Sequence, residues 1–121
     1  MTQATETVKK MCERTIRDVQ RLKDTVQTLR DQGIDAVQVD VQVSRTLHSI
    51  FRDFASEWDS LADIEPEPWY MDALTEVRED LNHADHVLGE ERAGMYEFGW
   101  PWDTCIPEWL GLLKGVLDRL Q

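Results

Sequence analysis

Four side chains that can ligate a metal recur at helical spacing in the second half of the chain: Glu79, His83, His86 and Glu90. At 100° per residue they lie within about 60° of one another on one helix, where imidazoles and carboxylates can hold zinc or another divalent cation. Such a site would be open to water, whereas a buried metal centre in a helical bundle takes ligands from several helices. A solvated polar face is therefore favoured, and no cofactor is expected. Metal binding through His83 and His86 is the alternative.

Motifs for covalent catalysis are absent from the sequence. There is no Gly-x-Ser-x-Gly, no glycine-rich phosphate loop and no Cys-x-x-Cys. Cys105 is the candidate reactive thiol, but the sequence places no histidine beside it. His48 is the one histidine outside the 79–90 segment, and no pattern places it near Cys105. We therefore expect no catalytic residues and no enzyme activity.

Negative charge is concentrated in one stretch of the chain. Residues 53–108 carry 16 carboxylates against two arginines, whereas the first 33 residues carry seven bases and five acids. A surface of one sign steers partners of the opposite sign. The sequence therefore predicts a non-enzymatic binding protein whose carboxylate-rich face docks on a basic partner protein, such as a nuclease or a nucleic-acid-binding complex. The carboxylates expected to make this contact are Asp59, Asp63, Glu65, Glu67, Asp72, Glu76 and Glu79.

Small acidic helical proteins include immunity proteins, phage-encoded inhibitors of host defence nucleases such as anti-CRISPR proteins, and mimics of the nucleic-acid backbone. The comparison rests on size, charge and fold class alone. Carboxylates would stand where a nuclease expects phosphates, and association would be fast and salt-sensitive. At a pI near 4.5, direct binding of nucleic acid is not expected. Two alternatives stay open: an acidity that reflects adaptation of the source to salt, and a structural or adaptor bundle that acts as a homo-oligomer.

Aromatic side chains crowd into residues 96–109, where Pro101 stiffens the chain. Tryptophan and tyrosine bury large areas and anchor interfaces, but they also fill the open end of a bundle. A core plug is the favoured interpretation. The alternative is an interface in which Trp100 and Trp102 contact the partner. The aromatic residues are Tyr96, Phe98, Trp100, Trp102 and Trp109.

The elements that must position these groups are helices. Apolar residues alternate at spacings of four and three, which is typical of amphipathic helices. The alternating valines between Val37 and Val43 resemble a strand, but Asp35 and Gln38 form a capping box and no partner strand exists. Gly33 is expected to end the first helix. The predicted helices run from about Thr5 to Gln32, from Ala36 to Asp63, from Pro68 to Gly89 or as far as Glu97, and from near Pro107 to the end.

The predicted fold is a single all-α bundle over residues 1–121. Two long N-terminal helices form a hairpin, and a shorter third helix, the aromatic loop and a short C-terminal helix complete it. Cys12 lies on an apolar stripe and is expected to be buried. Gly111 and Gly115 each cost about 1 kcal/mol relative to alanine in a helix, which predicts close approach by the first helix or by a second subunit in a homodimer. No apolar run could span a membrane and no secretory signal is evident, so a cytoplasmic location is predicted.

Overall fold

A computed structural model describes residues 3–61, 67–95 and 97–120, which form four helices and no strand. The prediction of an all-α four-helix bundle is confirmed. The valine-rich segment after Asp35 is helical, and the third helix is as long as the second, with 25 residues against 26. None of these helices combines the length and apolarity needed to cross a membrane. The helices are α1 (Gln3–Asp31), α2 (Ala36–Leu61), α3 (Pro68–Arg92) and α4 (Trp102–Leu120).

The four helices occupy the corners of a square. Among the described residues, α2 and α4 each pack against both α1 and α3, whereas no Cα atom of α1 lies within 8 Å of one in α3. Neighbours are antiparallel, since Arg14 in the first half of α1 pairs with Glu57 near the end of α2. Helices α1 and α3 therefore stand at diagonal corners. Their outer faces point to opposite sides of the molecule.

The core is built from the apolar seams of all four helices. Repeats of three and four residues place one stripe of each helix on the interior. The largest fully buried side chains include Trp102, Trp109, Tyr70 and Phe54. Cys12 is also buried, as predicted, and burial together with nearby negative charge raises the pKa of its thiol to about 12.

The turn between α1 and α2 follows the local signals in the sequence. Gly33 adopts a left-handed conformation with φ of 78°, and the N–H of Ile34 reaches back to the carbonyl of Leu29 at 3.1 Å. This is the Schellman arrangement, in which glycine avoids the strain of a Cβ. Asp35 Oδ1 then accepts the N–H of Gln38 at 3.0 Å and caps α2. The predicted glycine cap is confirmed, and of the predicted capping box the bond from the Gln38 N–H to Asp35 is observed.

The connection between α3 and α4 departs from the prediction. Helix α3 ends at Arg92 and is closed by a second left-handed glycine, Gly94. Helix α4 starts at Trp102, so the predicted start near Pro107 is wrong. Pro107 lies in the second turn, where its missing N–H removes a single helical hydrogen bond on the exposed side. The carbonyl of Pro101 starts the helix by accepting the N–H groups of Thr104 and Cys105.

Candidate partner-binding surface

The outer face of α3 carries three of the predicted contact residues. Tyr70, Leu74 and Leu81 fix which side of the helix is buried. Positions on the opposite side are exposed, and these are Asp72, Glu76 and Glu79. None of the three forms an ion pair with any cation in the described part of the chain. Their charges are therefore left uncompensated on one face.

A cluster of three carboxylates joins this face to α4. Glu76 and Asp80 on α3 and Glu108 on α4 place carboxylate oxygens within 4.8 Å of one another. The pKa of Glu108 is raised, first by a hydrogen bond with Glu76, then by some loss of hydration and by the charges of Asp80 and Glu76. Like charges this close create a strongly negative potential. Their oxygens suit an ammonium or guanidinium group or a hard divalent cation. We define the acidic surface as Asp72, Glu76, Glu79, Asp80 and Glu108.

Sequence analysis placed neither Asp80 nor Glu108 among the contact residues. The two side chains are brought together by the register of α3 against α4, and a single sequence carries no signal for register between two helices. Glu76 and Asp80 are four residues apart, and this spacing is the sequence feature which indicates that they share one side of α3.

The remaining predicted contacts lie near the connection between α2 and α3. Asp59 is exposed in the last turn of α2. Glu67 is exposed just before α3 and accepts a 2.6 Å hydrogen bond from Trp69 Nε1. Asp63 and Glu65 lie outside the described residues. The structure thus places Asp59 and Glu67 on either side of residues 62–66, and it brings neither into the three-carboxylate cluster.

Several other carboxylates of the acidic stretch have a partner within hydrogen-bonding distance. Among the described residues, Asp53 and Asp59 on α2 are also exposed without an ion pair, so uncompensated negative charge is concentrated on α3 and its seam with α4 but is not confined to them. The pairs are Glu57 with Arg14, Asp85 with His48 at 2.9 Å, Glu90 with His86 at 2.8 Å, and Asp103 with Arg30 at 2.7 Å.

Among the described residues, no histidine belongs to a group of three clustered ligand atoms. Within residues 3–61, 67–95 and 97–120, the single group of three or more clustered ligand atoms is the acidic one on α3 and α4. His86 Nε2 lies 2.8 Å from Glu90, and the ring of His83 packs against Trp100 with centroids 5.5 Å apart. His48, which the sequence left unplaced, contacts α3 through Asp85. The histidines are thus engaged in separate contacts.

The aromatic segment is a core plug. Trp100 is 8% exposed and Trp102 is 2% exposed, so neither indole is available to a partner in this conformation. Pro101 turns the chain between them, and Trp102 Nε1 donates to Asp40 Oδ1 at 2.8 Å inside the bundle. The alternative in which both tryptophans contact a partner is therefore not supported. Among the described aromatic side chains of this segment, Phe98 faces solvent and is 56% exposed.

The two helical glycines border a shallow groove between α3 and α4. The groove has a volume of about 270 Å³, and Gly111, Gly115, Trp69 and Ala73 are among its lining residues. Apart from the flanking residues and the backbone of α4 itself, no described atom lies within 4 Å of a Cβ built at either glycine, so of the two predicted partners α1 is not supported. Helix α1 packs on a different side of α4. The guanidinium of Arg119 lies 3.9 Å over the Trp69 ring at the edge of the groove.

The opposite side of the bundle has a different charge. A groove of about 440 Å³ between α1 and α2 is lined by Arg21 and Arg45 together with Asp18 and Asp53. Neither arginine forms an ion pair with another described residue. Two arginines and two aspartates leave this groove without the surplus of negative charge found on the acidic surface.

No protein-family model, curated protein or solved structure matches the chain. The functional argument therefore rests on the geometry and charge of these surfaces.

Proposed function

We propose that the chain is a non-enzymatic binding protein whose acidic surface docks on a basic partner protein. The observation that carries this proposal is the convergence of Glu76, Asp80 and Glu108 within 4.8 Å, without an ion-paired cation among the described residues. Holding three carboxylates together raises the free energy of the isolated protein. A lysine or arginine supplied by a partner would relieve that repulsion.

The proposed partner class is a protein that normally binds nucleic acid, such as a nuclease. Along α3, carboxylates recur every three or four residues from Asp72 to Glu79. At 1.5 Å per residue this places a negative charge about every 4.5–6 Å along the helix axis, which resembles a row of backbone phosphates. A basic cleft built for phosphates would accept such a row, and the protein would act as an inhibitor. Electrostatic steering would make association fast and weaker in salt.

Binding to a basic partner can be tested with charge-matched variants. E76Q/D80N/E108Q removes three negative charges from the acidic surface. E6Q/E13Q/D24N removes three from exposed positions on α1, at the diagonal corner. Immobilised wild-type protein and both variants are exposed to a host extract at low and high ionic strength, and captured proteins are then purified for titration calorimetry.

We expect wild type and the α1 variant to capture and bind the same basic protein at low ionic strength. The acidic-surface variant should bind it at least tenfold more weakly, since loss of charged contacts costs roughly 1.4 kcal/mol or more. Equal binding by the two variants would contradict the proposal, as would a complex whose affinity does not change with salt.

Association with a second copy is the other candidate, and the open groove at Gly111 and Gly115 favours it. Glycines in a helix are destabilising unless close packing compensates them, and none of the described residues supplies that packing. A helix of another subunit could supply that close packing. Light scattering over a wide concentration range tests this, and a strict monomer at high concentration would exclude it.

A further inference from the structure

Two carboxyl groups lie inside the bundle where α2 meets α3. Asp40, in the second turn of α2, is 1% exposed, and Glu91, in the last turn of α3, is 4% exposed. The antiparallel packing of α2 on α3 brings these two turns together. Burying even one carboxylate is costly unless hydrogen bonds or an opposite charge compensate it.

Asp40 is compensated by the aromatic segment. Its Oδ2 accepts the backbone N–H of Trp100 at 2.6 Å, and its Oδ1 accepts the indole N–H of Trp102 at 2.8 Å. One carboxylate therefore holds both ends of the Trp-Pro-Trp turn against the core. Bonds from N–H groups to an ionised acceptor are stronger than bonds between neutral groups.

The carboxyl group of Glu91 has no hydrogen bonds comparable to those that Asp40 accepts. Neither of its carboxyl oxygens makes a hydrogen bond of ordinary geometry with a described atom. Burial and the neighbouring Asp40 carboxyl raise the pKa of Glu91 to about 7, although the backbone N–H groups of Phe98 and Gly99 act in the opposite direction. Two adjacent buried carboxyls cannot both ionise without a large penalty, so one proton is retained by the pair.

No described charged group around Asp40 and Glu91 supplies a positive charge that would compensate the loss of the shared proton. Arg92, the residue after Glu91, is exposed and has its Nη1 3.4 Å from Ser44 Oγ on α2. From α4, Asp103 is exposed and paired with Arg30 of α1. Glu97, on the connecting segment, is exposed and negative. Of the neighbouring titratable side chains, Asp40 raises the pKa of Glu91.

We propose that Asp40 and Glu91 form a proton-dependent latch for the aromatic segment. While one proton is held between the two carboxyls, residues 97–102 stay closed on the core. When that proton is lost, repulsion between the two carboxylates weakens the contacts at Asp40 and releases the segment.

Release would change the surface of the molecule. Trp100 and Trp102 would become accessible beside Met95 and Phe98, which are already 70% and 56% exposed. The closed form hides most of this aromatic surface, and the open form would present it to an apolar partner. The latch is independent of the acidic surface on α3 and α4, so either proposal can fail without the other.

Nuclear magnetic resonance of the full chain tests the latch directly. The side-chain carboxyl carbon of Glu91 reports its ionisation from about pH 5 to about pH 9. Hydrogen exchange of the Trp100 amide and the Trp102 indole, corrected for intrinsic rates, reports closure of the segment. E91Q keeps the shape of the protonated acid and cannot ionise. E79Q is the matched control, because Glu79 is exposed on the same helix.

In wild type and E79Q we expect Glu91 to titrate near pH 7, with a loss of protection of about tenfold or more at both tryptophans over the same interval. In E91Q, protection should persist at alkaline pH. Titration of Glu91 at the pH of an ordinary carboxyl overturns the proposal, and so does protection that survives its ionisation. If E91Q does not fold, these wild-type measurements decide the outcome.

Discussion

The carboxylate of Asp40 accepts a 2.6 Å hydrogen bond from the backbone N–H of Trp100, which lies 60 residues further along the chain. This contact joins the start of α2 to the turn that leads into α4. A hydrogen bond of this kind contributes about 0.5–1.5 kcal/mol. It helps to explain why residues 97–102, which include Gly99 and Pro101, pack against the core.

The buried pair predicts an unusual dependence of stability on pH. The pKa of Glu91 is raised from an ordinary value of 4.5 to about 7, so the folded state binds its proton more tightly than the unfolded state does. Its contribution to the free energy of unfolding is therefore complete below about pH 4.5 and is lost as pH rises through about 7. Urea denaturation of wild type and E91Q at several pH values measures this contribution of Glu91 to the free energy of unfolding. We expect the stability of wild type relative to E91Q to fall between pH 5 and 8. A flat or rising difference would contradict this.

Neutralising the acidic surface should stabilise the protein while it weakens partner binding. E76Q, D80N and E108Q each remove a like charge from a cluster held within 4.8 Å, so thermal unfolding at low salt should shift upward. Added salt should shrink the shift, because it screens exposed charges. Thermal melts with and without salt check this, with E6Q/E13Q/D24N as the control. An equally large upward shift in the unfolding temperature of the α1 control would show that the lower net charge, and not the loss of the carboxylate cluster, causes the stabilisation.

Alanine at the two groove glycines should stabilise the monomer. No described atom obstructs a Cβ at Gly111 or Gly115, so G111A and G115A should each raise the free energy of unfolding by about 0.5–1 kcal/mol. G33A is the matched control: its Cβ would also meet nothing within 4 Å, but its φ of 78° makes alanine strained. We expect G33A to lose about 1–2 kcal/mol. Urea denaturation compares the three variants, and destabilisation by G111A or G115A would contradict this prediction. If a second copy uses the groove, the double variant should also self-associate less.

The two cysteines should differ sharply in reactivity. Cys12 is buried and its thiol pKa is raised to about 12, whereas Cys105 is half-buried with a thiol pKa raised mainly by burial and then by Asp80 and Glu108. Because the thiolate is the nucleophile, iodoacetamide should modify Cys105 first and Cys12 only on unfolding. Mass spectrometry of timed samples measures both rates, and C105S isolates Cys12. Equal rates in the native protein would argue against the burial of Cys12.

Features that depend on one helix at a time could be predicted from the sequence. The apolar repeats located all four helices, and Gly33 and Asp35 defined the first turn. The sequence misplaces the start of α4, because a proline usually marks a helix boundary, whereas Pro107 lies in the second turn of α4. The cluster at Glu108 and the buried pair at Glu91 arise from packing between helices. Glu90 and Glu91 are adjacent residues of the same type, so the sequence does not indicate that only Glu91 is buried.

The diagonal placement of α1 and α3 has an electrical consequence. Helix α1 has more bases than acids, while α3 carries seven carboxylates against two arginines, and no described Cα atoms of the two helices come within 8 Å. The centres of positive and negative charge are thus displaced across the width of the bundle, which gives the molecule a permanent dipole moment. A cationic object approaching from any direction exerts a torque that rotates α3 toward it. Productive orientation can therefore be established during diffusion, before the two surfaces touch.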